Sequence, residues 1–578
     1  MSQKGLLNKK KVIVVGNGMV GHYFIDQLSK ANTNKFDITT FSEEYRLAYN
    51  RVMLTSYFTG SSADDLALAT PQAYDEQDVE YYINEEVIAI DRELKNLTTA
   101  SGKVLFYDKL VLATGSFPFV PPVPGKEQDH IHVYRTLNDL DAIEISSKSS
   151  QVGVVVGGGL LGLEAANAIK QLGLETHIVE FAPRLMAVQL DQDGGDLLCK
   201  KITALDVTVH TEKNTTEIVS GENCRYRMNF ADGSFLETDV IVFSAGIRPQ
   251  DKLARQSGLV IGERGGIVID DHCLTSDESI YAIGECALWN NKIFGLVAPG
   301  YTMAKAAVSH LTNGGEKGQL TRFMGADMST KLKLLGVDVG SIGDAHGNTP
   351  DSQSYSFIDS VLGTYKKIVV SSDGKTLLGA VFVGDTSDYS QWLPLVLNNI
   401  ALTEPPEHLL LPKIEGEASS NVETLPANAQ ICACYDVSKL ALSEAIEKGA
   451  RDIAAIQSCT SAGTGCGGCI PLVTQVLNSE LEKLVISADN NISVSNNNND
   501  TCFIFPSVPD GDITPEHLIT IGKTAKEYNL VAKISGAQRI DLHGAKSHQL
   551  PMIRKTMADV GLETELSLNE TQSIFNVE

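Results

Sequence analysis

One backbone pattern occurs twice in this chain and constrains its fold more than any other feature. Val12-Ile13-Val14-Val15 runs into Gly16-Asn17-Gly18-Met19-Val20-Gly21 and then a helical stretch from His22 to Ser29. Val152 to Val156 runs into Gly157-Gly158-Gly159-Leu160-Leu161-Gly162 and a helical stretch from Leu163 to Leu172. A lone G-x-G-x-x-G means little, but each copy here has a strand before it and a helix after it. Each is also followed by a second strand that stops at an acidic residue. Ile38 to Phe41 ends at Ser42-Glu43-Glu44, and Thr176 to Val179 ends at Glu180. Two βαβ units of the dinucleotide-binding type are therefore expected. Their glycines let the backbone approach a pyrophosphate, and the helix N-termini offer it free N–H groups. At the second unit Glu180 stands where a carboxylate accepts hydrogen bonds from a ribose 2′-hydroxyl. It would repel a 2′-phosphate, which favours NADH over NADPH.

Four cysteines carry the next constraint. Cys432 and Cys434 are spaced C-x-C, Cys466 and Cys469 are spaced C-x-x-C, and residues 435–465 separate the pairs. Four converging thiolates need a metal or a cluster, because unpaired buried thiolates are costly. Spacing alone leaves zinc open beside an iron–sulfur cluster. Cys459 has no place in the four-ligand pattern and reads as a packed thiol. Helical patterns follow both pairs, from Ser438 to Glu447 and from Pro471 to Leu484. The run Ser487 to Asp500 is low-complexity and asparagine-rich, and reads as flexible. Thr514-Pro515-Glu516 has the form of a helix N-terminus, with Thr514 as cap and Pro515 at the first helical position.

With 578 residues the chain has room for several domains, and a net charge of −25 argues against nucleic acid or an anionic membrane as partner. No run of about 18 apolar residues appears, so no membrane span is expected. The polar start, Met1-Ser2-Gln3-Lys4-Gly5, has no signal-peptide core, and a cytoplasmic location follows by default.

Three further segments complete the pattern. Leu110-Val111-Leu112-Ala113-Thr114-Gly115 is a buried strand ending in a small-residue turn, and Phe243-Ser244-Ala245-Gly246 repeats that logic. Ile280 to Ile283 is a strand that stops at Gly284-Glu285. Together with the two fingerprints, residues 10 to 320 resemble the two-dinucleotide-binding-domain flavoproteins. The resemblance implies FAD at Gly16, Gly18 and Gly21, and NAD(P)H at Gly157, Gly159 and Gly162. It also implies that Ala113, Thr114, Gly115 and Gly246 border these sites. It implies Glu43 on the adenosine ribose of FAD, with Glu44 as fallback, and Arg51 near the flavin. It places Glu285 on the ribityl–pyrophosphate, where many members have Asp. The disulfide-reductase branch carries a C-x4-C pair after the first βαβ unit. No cysteine precedes Cys199 here, so a thiol–disulfide step is not expected. The cysteine segment, with Cys432-Ala433-Cys434-Tyr435-Asp436 and Gly465-Cys466-Gly467-Gly468-Cys469, resembles the bacterioferritin-associated-ferredoxin-like [2Fe-2S] domain. That resemblance implies a cluster held by all four cysteines.

Gly284-Glu285-Cys286-Ala287, Gly300-Tyr301-x-Met303-Ala304, Lys331 to Val339 and Gly384-Asp385-Thr386-Ser387-Asp388-Tyr389 narrow the match. Residues 10 to 484 resemble the large subunits of NAD(P)H-dependent assimilatory nitrite reductases. The tail, with Ser535 to Ile540, is similar to the ferredoxin-like half-domain of nitrite and sulfite reductases, and Arg539 there is a candidate sirohaem contact. Such subunits often carry a second cysteine module, where only a linker stands here. They also hold sirohaem and [4Fe–4S] on a C-x5-C and C-x3-C quartet. After Cys469 this sequence has Cys502 alone, so no sirohaem is expected on this chain by itself.

The expected architecture is α/β: a two-dinucleotide-binding-domain flavoprotein, a small helical [2Fe-2S] domain and an α+β half-domain. Its parts are 10–150 and 271–320 for FAD, 151–270 for NAD(H) and 321–412 for a small α+β domain. A linker at 413–429, the cysteine domain at 430–484, a flexible linker at 485–503 and the half-domain at 504–578 follow. Electrons are expected to pass from NADH to FAD to [2Fe-2S], feeding nitrite reduction to ammonia. The expected partner is a sirohaem-containing chain or another acceptor, such as a nitrate reductase or a ferredoxin. A homodimer is also compatible with the sequence. Hydride transfer demands no side-chain acid or base, so no catalytic residue is named.

Overall fold

The computed structural model describes residues 9–31, 35–313, 320–411, 422, 425–433, 435–464, 467–490, 501–507, 514–528, 530–534, 540–546, 549–558, 560 and 562–567. It forms two compact units, residues 1–484 and 485–578.

In the first unit, β1 (Lys10–Val15), α1 (Met19–Ala31) and β2 (Phe36–Phe41) make the first βαβ unit, and β3 (Lys109–Leu112) lies on the other side of β1. All neighbours are parallel, in the order Ile280–Ala282, β3, β1, β2, Val79–Tyr82. Val12, Ile13, Val14, Leu110, Val111 and Leu112 are buried, as continuous apolar strands must be when both faces of a parallel sheet are covered. The strand order turns at β1, which opens a cleft beyond the carboxyl ends of β1 and β3.

The second unit of this kind has β4 (Val152–Val156), α2 (Leu160–Gln171), β5 (Glu175–Val179) and β6 (Val240–Phe243). Its parallel order is Val207–His210, β5, β4, β6, Ile131–Val133. The chain then returns to the first module through α3 (Val297–Asn313), which packs on α1. Phe24, Ile25 and Leu28 of α1 share a core with Met303, Ala304 and Ala307 of α3.

A five-stranded antiparallel sheet follows, beginning with β7 (Thr330–Leu334). Val339, Tyr365, Val381 and Val383 on this sheet join the core of the second nucleotide-binding module, while Trp392 of helix Tyr389–Leu397 fills its other face. The Tyr365 hydroxyl donates to Asp191 at 2.7 Å and Lys367 pairs with the same carboxylate at 3.1 Å, tying the sheet to that module.

The cysteine segment is a small helical module. β8 (Gln430–Cys432) pairs with β9 (Val437–Ser438), and α4 (Lys439–Glu447), α5 (Ile453–Thr460) and α6 (Ile470–Asn490) follow. Ser438 and Asp452 cap α4 and α5 by accepting from Ala441 and Ala455 N–H. Ile431, Leu442, Ile446, Ile456, Val473 and Val476 form its core. Lys439 is buried, and its ammonium donates to the carbonyls of Val422 and Leu425. The sequence pattern did not announce α5, and α6 runs past 484 to Asn490. Residues 487–490 of the run read as flexible thus belong to α6, and 491–500 lie outside the described residues. The expected linker at 413–429 lies outside the described residues apart from 422 and 425–429.

The second unit has a four-stranded antiparallel sheet in the order Val531–Ile534, Ile540–Lys546, Thr501–Ser507, Glu563–Ser567. Its α7 (Pro515–Glu527) is capped by Thr514, which accepts from His517 N–H, with Pro515 in the first turn. Arg539 lies outside the described residues. Among the described residues no helix is long and apolar enough to cross a membrane.

The fingerprint glycines separate into two physical kinds. A Cβ on Gly162 would stand 1.9 Å from the Gly157 carbonyl oxygen, whereas one on Gly159 meets nothing within 4 Å. Gly162→Ala should lower stability by roughly 2–4 kcal/mol, because backbone must move, and Gly159→Ala by less than about 0.5 kcal/mol. Denaturant unfolding midpoints check this, and equal shifts for the two variants would contradict it.

Candidate functional site

The cleft beyond β1 and β3 holds a cavity of ≈ 990 Å³, and one wall of it is the first fingerprint. Gly16 has φ +109° and sits so close to β3 that a Cβ would be 2.2 Å from the Ala113 carbonyl oxygen. Gly21 packs back on Gly16, where a Cβ would lie 2.0 Å from the Gly16 carbonyl oxygen. Gly18 faces open space and lines the cavity. Asn17 is buried and locks this loop. Its amide donates to the Tyr74 hydroxyl at 2.9 Å and the Thr40 hydroxyl at 3.3 Å, and its oxygen accepts from Ala48 N–H at 2.8 Å. No acidic residue stands in the first turn of α1, so its free N–H groups suit an anion. This cradle fits a dinucleotide pyrophosphate.

Glu43 and Glu44 both line the cavity, in different states. Glu44 is held by an ion pair with Arg51 and by the Tyr49 hydroxyl at 2.8 Å. Among the described residues Glu43 has no such partner. Burial, then Glu44 and Glu86, push its carboxyl above the ordinary value. Of the pair, Glu43 is the carboxylate left to receive ribose hydroxyls. Arg51 also donates to the Arg135 carbonyl at 3.0 Å.

At the far end of the cavity stand Ala113, Thr114, Gly115, Gly284 and Glu285. The Thr114 hydroxyl donates to the Gln250 carbonyl at 2.6 Å, joining this turn to the one after β6. The Glu285 carboxylate accepts from the Ser116 hydroxyl and from Arg135, both at 2.6 Å. Gly246 is exposed and off this wall, and its neighbour Ile247 lines it. Cys286 is buried behind Glu285, its thiol donating to the carbonyls of Leu112 and Ile283 and pushed up by burial. That is a packed thiol.

The second fingerprint forms its own cradle. Gly157 (φ +123°) abuts β6, Gly162 abuts Gly157, and Gly159 is open. Glu180 accepts from Gly158 N–H at 2.5 Å and Ala182 N–H at 2.6 Å, which fixes it at the end of β5 beside the glycine turn. His177 is a buried strand residue stacked on His210. One turn along α2, Leu160, Leu161 and Glu164 reach the first cavity. A ligand of the second cradle can therefore extend toward a ligand of the first.

The same cavity is also lined by Cys432, Ala433, Tyr435, Thr464, Gly468 and Cys469. Cys432 and Cys469 are buried cysteines, whose sulfurs are the donor chemistry a cluster needs. Cys434 and Cys466 lie outside the described residues. Cys459 is exposed rather than packed, because the eight-residue α5 buries Ile456 alone.

Several lining residues carried no signal in the sequence. Arg135 precedes the Thr136/Asp139 capping box of helix Leu137–Ser147 and reads there as an ordinary flank. Lys331 on β7, Asp327 and Glu164 reach the cavity only through tertiary folding.

Residues 10–310 match the pyridine nucleotide-disulphide oxidoreductase family, 329–400 the rubredoxin NAD+ reductase C-terminal domain, and 430–479 the BFD-like [2Fe-2S] binding domain. The nitrite reductase (NADH) large subunit of Escherichia coli (strain K12) is 48% identical over 96% of this chain and 74% of its own length. The assimilatory nitrate reductase electron transfer subunit of Bacillus subtilis (strain 168) is 34% identical over 82% of this chain and 61% of its own. An NAD-dependent persulfide reductase from A. fulgidus shares the fold, with a TM-score of 0.61 at 24% identity over 68% of this chain and 80% of that one.

Burial on α2 pushes the Glu164 carboxyl up to about 7 from an ordinary 4.5. Between those values the folded chain holds more protons than the unfolded one. Stability therefore falls as pH rises through this window and stays lowered above it. Glu164→Gln should be more stable than the parent at pH 8 by roughly 1–3 kcal/mol, with the gain shrinking toward pH 5. A gain of the same size at both pH values in matched denaturant titrations would contradict this.

Proposed function

We propose that this chain, which belongs to the NAD(P)H nitrite reductase large-subunit family, is the electron-input part of nitrite reduction to ammonia. It is an NAD(P)H-dependent oxidoreductase with FAD and [2Fe-2S] modules. FAD, when bound, would supply the conversion that couples NADH, a two-electron donor, to a one-electron centre.

The observation that carries the reading is the shared cavity. Residues of the first fingerprint, of α2 and of the cysteine module line one cavity. In this reading Gly16, Gly18 and Gly21 with the α1 N-terminus hold the FAD pyrophosphate. Glu43 takes the adenosine ribose hydroxyls, and Arg51, Arg135 and Glu285 order the ribityl end. Ala113, Thr114 and Gly115 form the floor. Gly157, Gly159 and Gly162 hold NADH, Glu180 its adenosine ribose and Gly246 its border. Cys432, Cys434, Cys466 and Cys469 hold the cluster. Tyr301 and Tyr435 stack on one another and line the cavity between the flavin and cluster sites.

The acceptor beyond the cluster is a sirohaem-bearing centre, on another chain or on sequence beyond this one, since this chain spans 74% of its Escherichia coli relative. The Bacillus subtilis relative favours a second reading, in which the same input module serves a nitrate reductase.

NADH oxidation by the loaded chain should proceed with ferricyanide and become nitrite-dependent only when a sirohaem-containing reductase is added. Nitrite turnover by this chain alone, with sirohaem absent, would overturn the assignment. Coupling to a nitrate reductase but not to a sirohaem protein would move it to the second reading.

A further inference from the structure

Lys305 lies in the middle of α3, one turn after Tyr301, and points at the cysteine module. Its ammonium donates to the Tyr435 carbonyl at 2.6 Å. Tyr435 directly follows Cys434 in sequence, so this carbonyl belongs to the loop that presents the first cysteine pair. Above the contact three aromatic rings meet. Tyr23 of α1 stacks on Tyr301 at 4.2 Å, and Tyr301 stacks on Tyr435 at 5.4 Å. The cysteine loop is thereby docked on the helix pair that carries the first cradle.

Docking alone does not account for a lysine. Any donor of suitable length could reach the carbonyl, and a partly buried ammonium is costly without an opposite charge. Among the described residues Lys305 makes no ion pair with a carboxylate. The negative groups nearest it in electrostatic effect are Asp436 and Cys432, and Asp436 is exposed. Burial pulls the ammonium below its ordinary value of 10.5. The charge therefore lies against the Tyr435 carbonyl, within electrostatic reach of Cys432.

We propose that Lys305 is a positioning residue for electron transfer, whose fixed positive charge beside the cysteine cradle raises the reduction potential of the cluster. This rests on the reading of the four cysteines as ligands of a [2Fe-2S] cluster. Reduction adds one electron, drawn from the flavin that NADH has reduced, and the acceptor beyond the cluster later withdraws it. The reduced cluster carries one more negative charge than the oxidised one. A neighbouring cation stabilises it more, and net charge is among the main determinants of such potentials.

The test is a potentiometric titration of the holoprotein, followed by the electron paramagnetic resonance of the reduced cluster, with iron, sulfide and flavin quantified in each sample. K305Q keeps a donor for the Tyr435 carbonyl and loses the charge, K305M loses both, and K305R keeps the charge. The proposal expects K305Q and K305M to shift the cluster midpoint to lower potential and K305R to stay near the parent. Should K305M lose its cluster, K305Q gives the deciding comparison. A K305Q midpoint equal to that of the parent at full cluster content would overturn the proposal and leave the cluster reading intact. A parent protein that holds one zinc ion per chain and neither iron nor sulfide would overturn both.

Discussion

The contact between α1 and α3 is the constraint on which the rest of the first unit depends. The Val20 side chain of α1 lies where a Cβ on Gly300 would be 2.5 Å from its methyl and one on Gly284 3.3 Å away. Only small residues let the helices close to this distance. That closeness sets the first turn of α3, with Val297, Ala298 and Tyr301, on the cavity wall beside the first fingerprint. It also aims Tyr301 and Lys305 at the cysteine loop. One helix thus borders the cavity, fills the core and docks the module that carries the thiols.

Charge within the cavity follows from the same packing. Arg51 and Arg135 enter it already paired, with Glu44 and Glu285. These pairs are partly buried, so they are held by geometry that water would otherwise loosen. Among the described residues Glu43, Glu164 on α2 and Lys305 make no such ion pair, and burial is the largest influence on each.

Backbone-driven features were legible in the sequence. Gly16, Gly21, Gly157 and Gly162 are required by approaches near 2 Å that leave no room for a Cβ, so glycine at those positions reports directly on a strand–turn–helix. The Thr514–Pro515 start of α7 was equally local. Cysteine spacing was legible because four thiolates need a shared partner. Arg135 and Lys305 were not, since each acts on residues distant in sequence and sits in a segment whose local pattern is ordinary; Asn17 sits within the first fingerprint, but its bonds to Thr40, Ala48 and Tyr74 are made only by the fold. The exposure of Cys459 was missed for the same reason: burial of one face of a short helix depends on what packs above it. Helix α5 was hidden by its length, too short for a periodic pattern to stand out.

The central claim is that one cavity couples a flavin to a cluster. An anaerobic addition of NADH to the loaded chain tests it most directly, with flavin absorbance and the paramagnetic signal of the cluster recorded together. The account predicts that the flavin bleaches and a reduced [2Fe-2S] signal rises with it, before any other protein is added. Bleaching of the flavin with an oxidised cluster that reduces only when dithionite is supplied would contradict it.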